Sequence, residues 1–136
     1  MEVEVHMNAT AILVATVVGF VVGGLWYSPL LFGNAWMRAA GVTEDQVNGG
    51  NKVKIFGLTF LFLLIMAVCL AAFLGAPEIN LKSGAFYGFL TGFGWIFFGI
   101  GVVALFEQRS WSYIFINGGY WVVTMTVMGA VLGGWP

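Results

Sequence analysis

The hydrophobic positions of the chain fall into four long blocks that contain no Asp, Glu, Lys or Arg. These blocks occupy residues 5–37, 55–77, 83–106 and 110–136. A helix rises about 1.5 Å per residue, so roughly 20 apolar residues cross a hydrocarbon core of about 30 Å. Each block exceeds that length, and the pattern therefore predicts four membrane-spanning helices.

Membrane-spanning strands are the alternative, because Val, Ile, Phe and Trp also favour sheets. Such strands alternate polar and apolar residues over about 10 positions. The stretch IFGLTFLFLLIMAVCLAAFLG, residues 55–75, is apolar almost throughout and does not alternate. The expected fold class is therefore an all-α integral membrane protein, with four transmembrane helices in an antiparallel bundle and a short interfacial helix in the first loop.

We place these helices in a single transmembrane domain that takes up residues 1–136. Allowing about 2 to 4 residues at each end, the spans are expected at about 8–27, 55–76, 83–106 and 111–135, and the interfacial helix at about 30–40. Pro29 disfavours helical geometry at the residue before it, so the first span should end there. Asn34 and Arg38 then lie four residues apart on one polar stripe, which suits a helix in the interface. Thr43 and Gln46 have the spacing of a capping box, which predicts one further short helical turn.

Composition and charge agree with a membrane protein. Hydrophobic residues make up 60% and charged residues 8% of the chain, whereas a soluble domain has about 25% charged residues. A net charge of -1 without a basic patch excludes nucleic-acid binding. Arg38, Lys52, Lys54 and Arg109 lie in the loops on one side of the membrane, against Lys82 alone on the other. We therefore expect a multi-pass protein of the bacterial inner membrane, with those loops in the cytoplasm and both termini outside.

Small residues recur every four positions in each span. Lipid tails are as apolar as leucine, so membrane helices associate through close backbone approach and interhelical hydrogen bonds. The glycines that we assign to helix packing are Gly19, Gly23, Gly84, Gly88, Gly92, Gly129 and Gly133. The third span has the longest glycine row, and we expect it at the centre of the bundle or at a contact between subunits.

Groups that would support catalysis or ion transport are scarce. The predicted spans contain no ionisable Asp, Glu, Lys, Arg or His, on which proton relays and ion sites depend. The single histidine, His6, stands in the N-terminal tail, where a solvated residue is more common than a metal ligand. Cys69, the single cysteine, is expected as a buried apolar thiol in the second span. We expect no catalytic residue, no metal and no cofactor.

Polar and aromatic side chains toward the cytoplasmic half form the candidate pocket or partner contact. They are Trp26, Tyr27, Ser28, Trp95, Glu107, Arg109, Asn117 and Tyr120. Asn117 lies roughly 9 Å along the fourth helix, and Trp95 lies near mid-membrane, away from the usual aromatic belts. Such residues could line a small amphipathic pocket. Alternatively, Asn117 bonds a neighbouring helix, the aromatic rings fill the core, and Glu107 pairs locally with Arg109.

Two stretches of the chain, LWYSPLLFGNAWMRAAGVTEDQ and LFEQRSWSYIFINGGYWVVTMTVMGAVLGGW, carry a resemblance to a known family. The residues that carry it are Trp26 to Pro29, Phe32, Gly33, Trp36, Phe106, Glu107, Arg109, Ser110, Asn117, Gly119 and Tyr120. With them the chain resembles a family of small bacterial membrane proteins that is catalogued as domain of unknown function 1761. The resemblance implies four membrane helices and no particular activity.

Two functions remain as hypotheses from the sequence. The first is a non-enzymatic membrane protein that acts through helix packing, as a homo-oligomer or as an accessory subunit of a larger membrane complex. Its partners would be the lipid bilayer and a copy of itself or another membrane protein. The second is a small transporter or channel for a neutral or lipophilic solute, which would use the region of Asn117, Tyr120 and Trp95.

Overall fold

The computed structural model describes residues 7–136, so the expectation for His6 lies outside the described residues. That part of the chain contains seven α-helices, one π-helical segment and no strand. The elements are α1 (Ala9–Trp26), α2 (Gly33–Ala40), α3 (Glu44–Gly49), α4 (Lys52–Phe73), α5 (Leu81–Thr91), the π-helical segment (Gly92–Phe97), α6 (Phe98–Phe106) and α7 (Trp111–Gly134). Within the described range, four helices are long and apolar enough to cross a membrane: α1, α4, the continuous third span Leu81–Phe106, and α7. The chain is therefore an all-helical membrane protein.

Polar side chains define the starts of the long helices. The side chains of Asn8, Asn51, Asn80 and Ser110 each accept a hydrogen bond from a backbone N–H of the following first turn. The cap at Asn51 explains why α4 begins at Lys52, three residues earlier than the sequence predicts. Short α3 starts at the expected capping box, formed by Thr43 and Gln46.

The central helix is α7, which contacts α1, α4 and all three parts of the third span. Within the most apolar 18-residue window of each span, the buried share is 44% in α7 and 11% in the third span. The structure therefore places the fourth span, and not the third, at the centre. The third span lies at the periphery and packs mainly on α7, whereas α4 packs mainly on α1.

Glycine lets α5 and α7 approach to backbone contact. A methyl group added at Gly84 would collide with the carbonyl oxygen of Gly129, and one added at Gly88 would collide with the carbonyl oxygen of Met125. A larger residue at either position would force the two helices apart. Added methyl groups would also lie within 3.1 Å of another segment at Gly19, Gly23, Gly92 and Gly133.

The π-helical segment changes the register of the third span. One row of residues of this span that contact or closely approach α7 runs, in order, through Gly84, Gly88, Gly92, Phe97 and Gly101. They are spaced by four residues except for the five-residue step across the π-helical turn, which holds one residue more than an α-helical turn. Gly94 and Gly99, which continue the glycine row in the sequence, have no atom of another segment within 4 Å of an added methyl group. They therefore lie outside the helix contact.

The buried core lies where α1, α4 and α7 meet, and its main members are Ile12, Ala15, Ala67, Leu70, Ala71, Leu74, Met125 and Met128. Cys69 lies on the exposed surface of α4, so the expectation of a buried thiol is wrong. An apolar surface is the normal outside of a membrane helix, because lipid tails and not water surround it.

Candidate functional site

Two consecutive aromatic residues connect the end of α1 to α7. The indole Nε1 of Trp26 donates a hydrogen bond to the carbonyl oxygen of Ile116 at 2.9 Å. The hydroxyl of Tyr27 donates to Oδ1 of Asn117 at 2.7 Å. The Asn117 amide also donates through Nδ2 to the carbonyl oxygen of Tyr113 at 3.0 Å. That second bond holds the amide with its oxygen toward Tyr27, so the asparagine links two helices.

Tyr120 lies one turn further along α7 and packs against the same end of α1. Its ring centroid is 5.4 Å from that of Tyr27 and 6.5 Å from that of Trp26. Its hydroxyl donates to the carbonyl oxygen of Gly19 at 3.3 Å. A methyl group added at Gly23 would lie 2.9 Å from that hydroxyl oxygen. The two glycines of α1 therefore provide the space in which Tyr120 is buried.

The segment between α1 and α2 extends this aromatic cluster. Phe32 packs on Trp26 with 4.6 Å between ring centroids, and Trp36 of α2 packs edge-on against Tyr27 at 5.5 Å. The turn is tight at Gly33, where an added methyl group would lie 2.8 Å from the carbonyl carbon of Ser28. The Ser28 hydroxyl donates to the carbonyl oxygen of Leu25 within its own turn, at 2.7 Å. Ser28 thus shapes the turn and makes no bond to α7.

Arg109 connects the turn before α7 to the end of α2. Its Nη1 donates to the carbonyl oxygen of Ala40, the last residue of α2, at 3.2 Å. A cation at that position favourably opposes the partial negative charge of a helix C-terminus. The guanidinium also lies 5.3 Å from the ring centroid of Tyr113 and forms an ion pair with Glu107 at 3.3 Å. Because both ends of this ion pair are well exposed, the pair itself contributes little stability.

We call the set formed by Trp26, Tyr27, Phe32, Trp36, Asn117 and Tyr120 the aromatic cluster. The structure joins four of the predicted site residues in it: Trp26, Tyr27, Asn117 and Tyr120. Glu107 and Arg109 adjoin it through Tyr113. Trp95 is separate, with 68% of its surface exposed, and it lines a cleft of about 370 Å³ between α4 and the third span.

The aromatic cluster lies within the part of the chain that a family model matches. The family model described as Protein of unknown function (DUF1761) matches residues 10–133, which include every residue of the cluster. The chain belongs to this family. No curated protein and no solved structure matches the DUF1761 chain.

Burial affects the chemistry of the cluster. Tyr27 follows the last residue of α1, and burial raises the pKa of its phenol well above the usual range, with smaller contributions from Tyr120 and Tyr113. The phenol therefore stays protonated and remains a hydrogen-bond donor to Asn117. Within residues 7–136 of the DUF1761 chain, no three His, Cys, Asp or Glu side chains come close enough together to hold a metal ion.

Sequence reasoning missed several contributors to the site in this DUF1761 chain. The sequence singles out Phe32 and Trp36 only through the family resemblance, although their proximity to Trp26 along the chain is a usable signal. Tyr113 is four residues before Asn117, the spacing at which helical side chains and carbonyl groups meet. The carbonyl oxygens of Ile116 and Ala40 carry no signal in the sequence, because every residue has one.

Proposed function

We propose that this DUF1761 protein is a non-enzymatic inner-membrane protein that acts by packing against another membrane helix. The partner helix belongs either to a second copy of the chain or to a larger membrane complex in which the chain is an accessory subunit. The observation that carries the proposal is the outward face of the third span, which is the least buried of the four spans.

A row of phenylalanines occupies that face. Phe86, Phe89, Phe93 and Phe98 are each at least 39% exposed. Phe93 packs on Phe89 with centroids 5.6 Å apart and on Phe98 at 5.0 Å. Rings that already pack on one another form a stiff apolar surface, and a partner helix loses little side-chain freedom on meeting it. We call this set the phenylalanine face.

The aromatic cluster supports a packing role over a solute site. Its polar groups bond to one another or to carbonyl oxygens, as do the Tyr27 hydroxyl, the Asn117 amide and the Tyr120 hydroxyl. A transported neutral solute would have to displace these bonds. The second candidate, a small transporter or channel, also draws on Trp95, which lies apart from the cluster in the cleft beside α4.

The proposal includes an antiparallel bundle and an interfacial α2. Contacts between α1 and α7 run in opposite directions, because Gly19 approaches Met128 and Trp26 bonds Ile116. Leu30 and Leu31, just before α2, are exposed at 86% and 55%, as suits a segment that enters the headgroup region. The first and third loops hold more basic residues than the side with the termini, which favours a cytoplasmic position for these loops and external termini.

Disulfide cross-linking in native membranes tests this proposal. Cys69 is exposed on α4 and would react, so it is first replaced through Cys69→Ser. Phe98→Cys then reports on the phenylalanine face, and Ile65→Cys, exposed on α4, is the matched control. We expect Phe98→Cys alone to give either a dimer of the chain or an adduct with one other membrane protein. A chain that stays monomeric under oxidation with cysteine on either helix would contradict the packing role.

A further inference from the structure

One end of the phenylalanine face carries a charge. Lys82, Phe86, Phe89 and Phe93 follow one another at steps of four, three and four residues, which places them on one stripe of the third span. Phe86 is 56% exposed, and Lys82 in the first turn of α5 is exposed as well. The phenylalanine face therefore begins with a lysine, on the side of the membrane that holds the chain termini.

This stripe faces away from the rest of the bundle. Gly84, which contacts α7, lies two residues from both Lys82 and Phe86. Two residues turn a helix by about 200°, so α7 packs on roughly the opposite side of the third span. The stripe is therefore open to contact with a further helix.

Charge at this end indicates which partner fits. Glu78 stands in the connection between α4 and α5, four residues before Lys82, and is exposed. Within residues 7–136 these two are the only charged side chains on that side of the membrane, and no ion pair joins them within the chain. We propose that the phenylalanine face binds the same face of a second copy, with Glu78 of each copy paired to Lys82 of the other. This inference rests on the packing role proposed above and names the partner.

The symmetry of such a dimer explains why both charges are needed. Copies of one chain share one orientation in the membrane, so a two-fold axis along the membrane normal brings equal depths together. Two Lys82 ammonium groups at one level would repel each other, whereas one Glu78 from each copy brings the net charge of the contact to zero. A two-fold contact repeats every match, so one match supplies two ion pairs. A different protein would have to supply its own acid at that depth.

Energy transfer between copies that carry a fluorescent label at the C-terminus, reconstituted in phosphatidylcholine vesicles and diluted with lipid, measures the association. We expect the unsubstituted chain to dimerise. Lys82→Glu and Glu78→Lys each place like charges on the contact, and each variant alone should associate at least fivefold more weakly. Mixing the two variants should restore the wild-type association, because a copy with two acids then meets a copy with two bases. Glu44→Lys makes the same change of charge in the first loop and should leave the association unchanged.

The apolar part of the contact has its own pair of variants, which keeps the proposal testable if a charge variant does not fold. Phe89→Ala removes a ring from the phenylalanine face and should weaken the association at least tenfold. Phe62→Ala removes a ring that is 60% exposed on α4 and should keep the wild-type association.

Two results would overturn the proposal: a mixture of the charge variants that associates no better than either alone, or equal association of Phe89→Ala and Phe62→Ala. A third result separates this inference from the packing role on which it rests. An unsubstituted chain that stays monomeric in lipid, while its Phe98→Cys variant cross-links to one other membrane protein, would overturn the second copy as partner and leave the packing role standing. A chain that makes neither contact would overturn both.

Discussion

Gly88 sits at the closest contact between α5 and α7, and Gly88→Ala is a direct test of that packing. The added methyl group would press on the Met125 carbonyl group, whose carbon would be 2.9 Å away, and on Cα of Thr126 at 3.1 Å. Ordinary van der Waals contact of such a carbon begins near 3.4 Å. Backbone atoms cannot rotate away as a flexible side chain can. The two helices must therefore separate by about 0.5 Å or more, and the overpacking should cost about 1–3 kcal/mol.

The expected loss is large because the third span has little other contact with the protein. This span packs mainly on α7, so a separation at Gly88 is not compensated by α1 or α4. The assay is reversible unfolding in mixed micelles by titration with sodium dodecyl sulfate, followed by tryptophan fluorescence and circular dichroism. Gly99→Ala is the matched control, since its methyl group would meet no atom of another segment within 4 Å.

We expect Gly99→Ala to change the free energy of unfolding by less than about 0.5 kcal/mol, as surface substitutions usually do. The difference between the two alanine variants is the quantity that matters. Equal free energies for Gly88→Ala and Gly99→Ala would refute the argument that close backbone approach holds the third span on α7.

Three further predictions concern the aromatic cluster and its surroundings. Tyr27→Phe removes the hydrogen-bond donor to Asn117 and should lower the free energy of unfolding by about 0.6–1.5 kcal/mol. Ser28→Ala should lower it less in the same titration, because the Ser28 hydroxyl bonds only within its own turn. Arg109→Gln weakens the contact with the Ala40 carbonyl oxygen, so trypsin should cleave after Arg38 of α2 faster than in the wild type. Glu107→Gln should leave that cleavage rate within about twofold, because the exposed ion pair contributes little stability. Burial raises the pKa of Tyr27 in the folded chain. The contribution of this phenol to stability is therefore fully present below the unfolded pKa of about 10 and is lost as pH rises through the folded value. The free energy of unfolding, measured from pH 9 to 11, should fall more steeply for the wild type than for Tyr27→Phe, and identical slopes would contradict that reasoning.

The long helices could be predicted from the sequence because lipid solubility is a property of whole segments. Runs of apolar residues and capping residues such as Asn51 and Thr43 are local signals, and backbone amides in lipid must be satisfied within the helix. The central position of α7 was not predictable in the same way. Its glycines are fewer than those of the third span, but Gly129 and Gly133 meet other chain segments, whereas Gly94 and Gly99 do not.

The candidate site was predictable in part for a related reason. Trp26, Tyr27, Asn117 and Tyr120 all fall in the half of the membrane nearer to the first and third loops, because depth can be counted along a helix at about 1.5 Å per residue. Trp95 shows the limit of that count, because the face on which a residue lies depends on the helical register. The π-helical turn alters that register, and the apolar sequence GFGWIF contains no signal that fixes where the additional residue is placed.

The five-residue step from Gly92 to Phe97 has a consequence for changes in chain length. A single-residue deletion between these two positions would convert the wide turn into an ordinary one and would leave both halves of the span facing α7. The same deletion between Gly84 and Gly88 would rotate part of the span by about 100° relative to the rest and turn its glycines away from the contact. The third span can thus lose one residue at this turn without losing its partner helix, and homologues that differ there by one residue can keep the same packing.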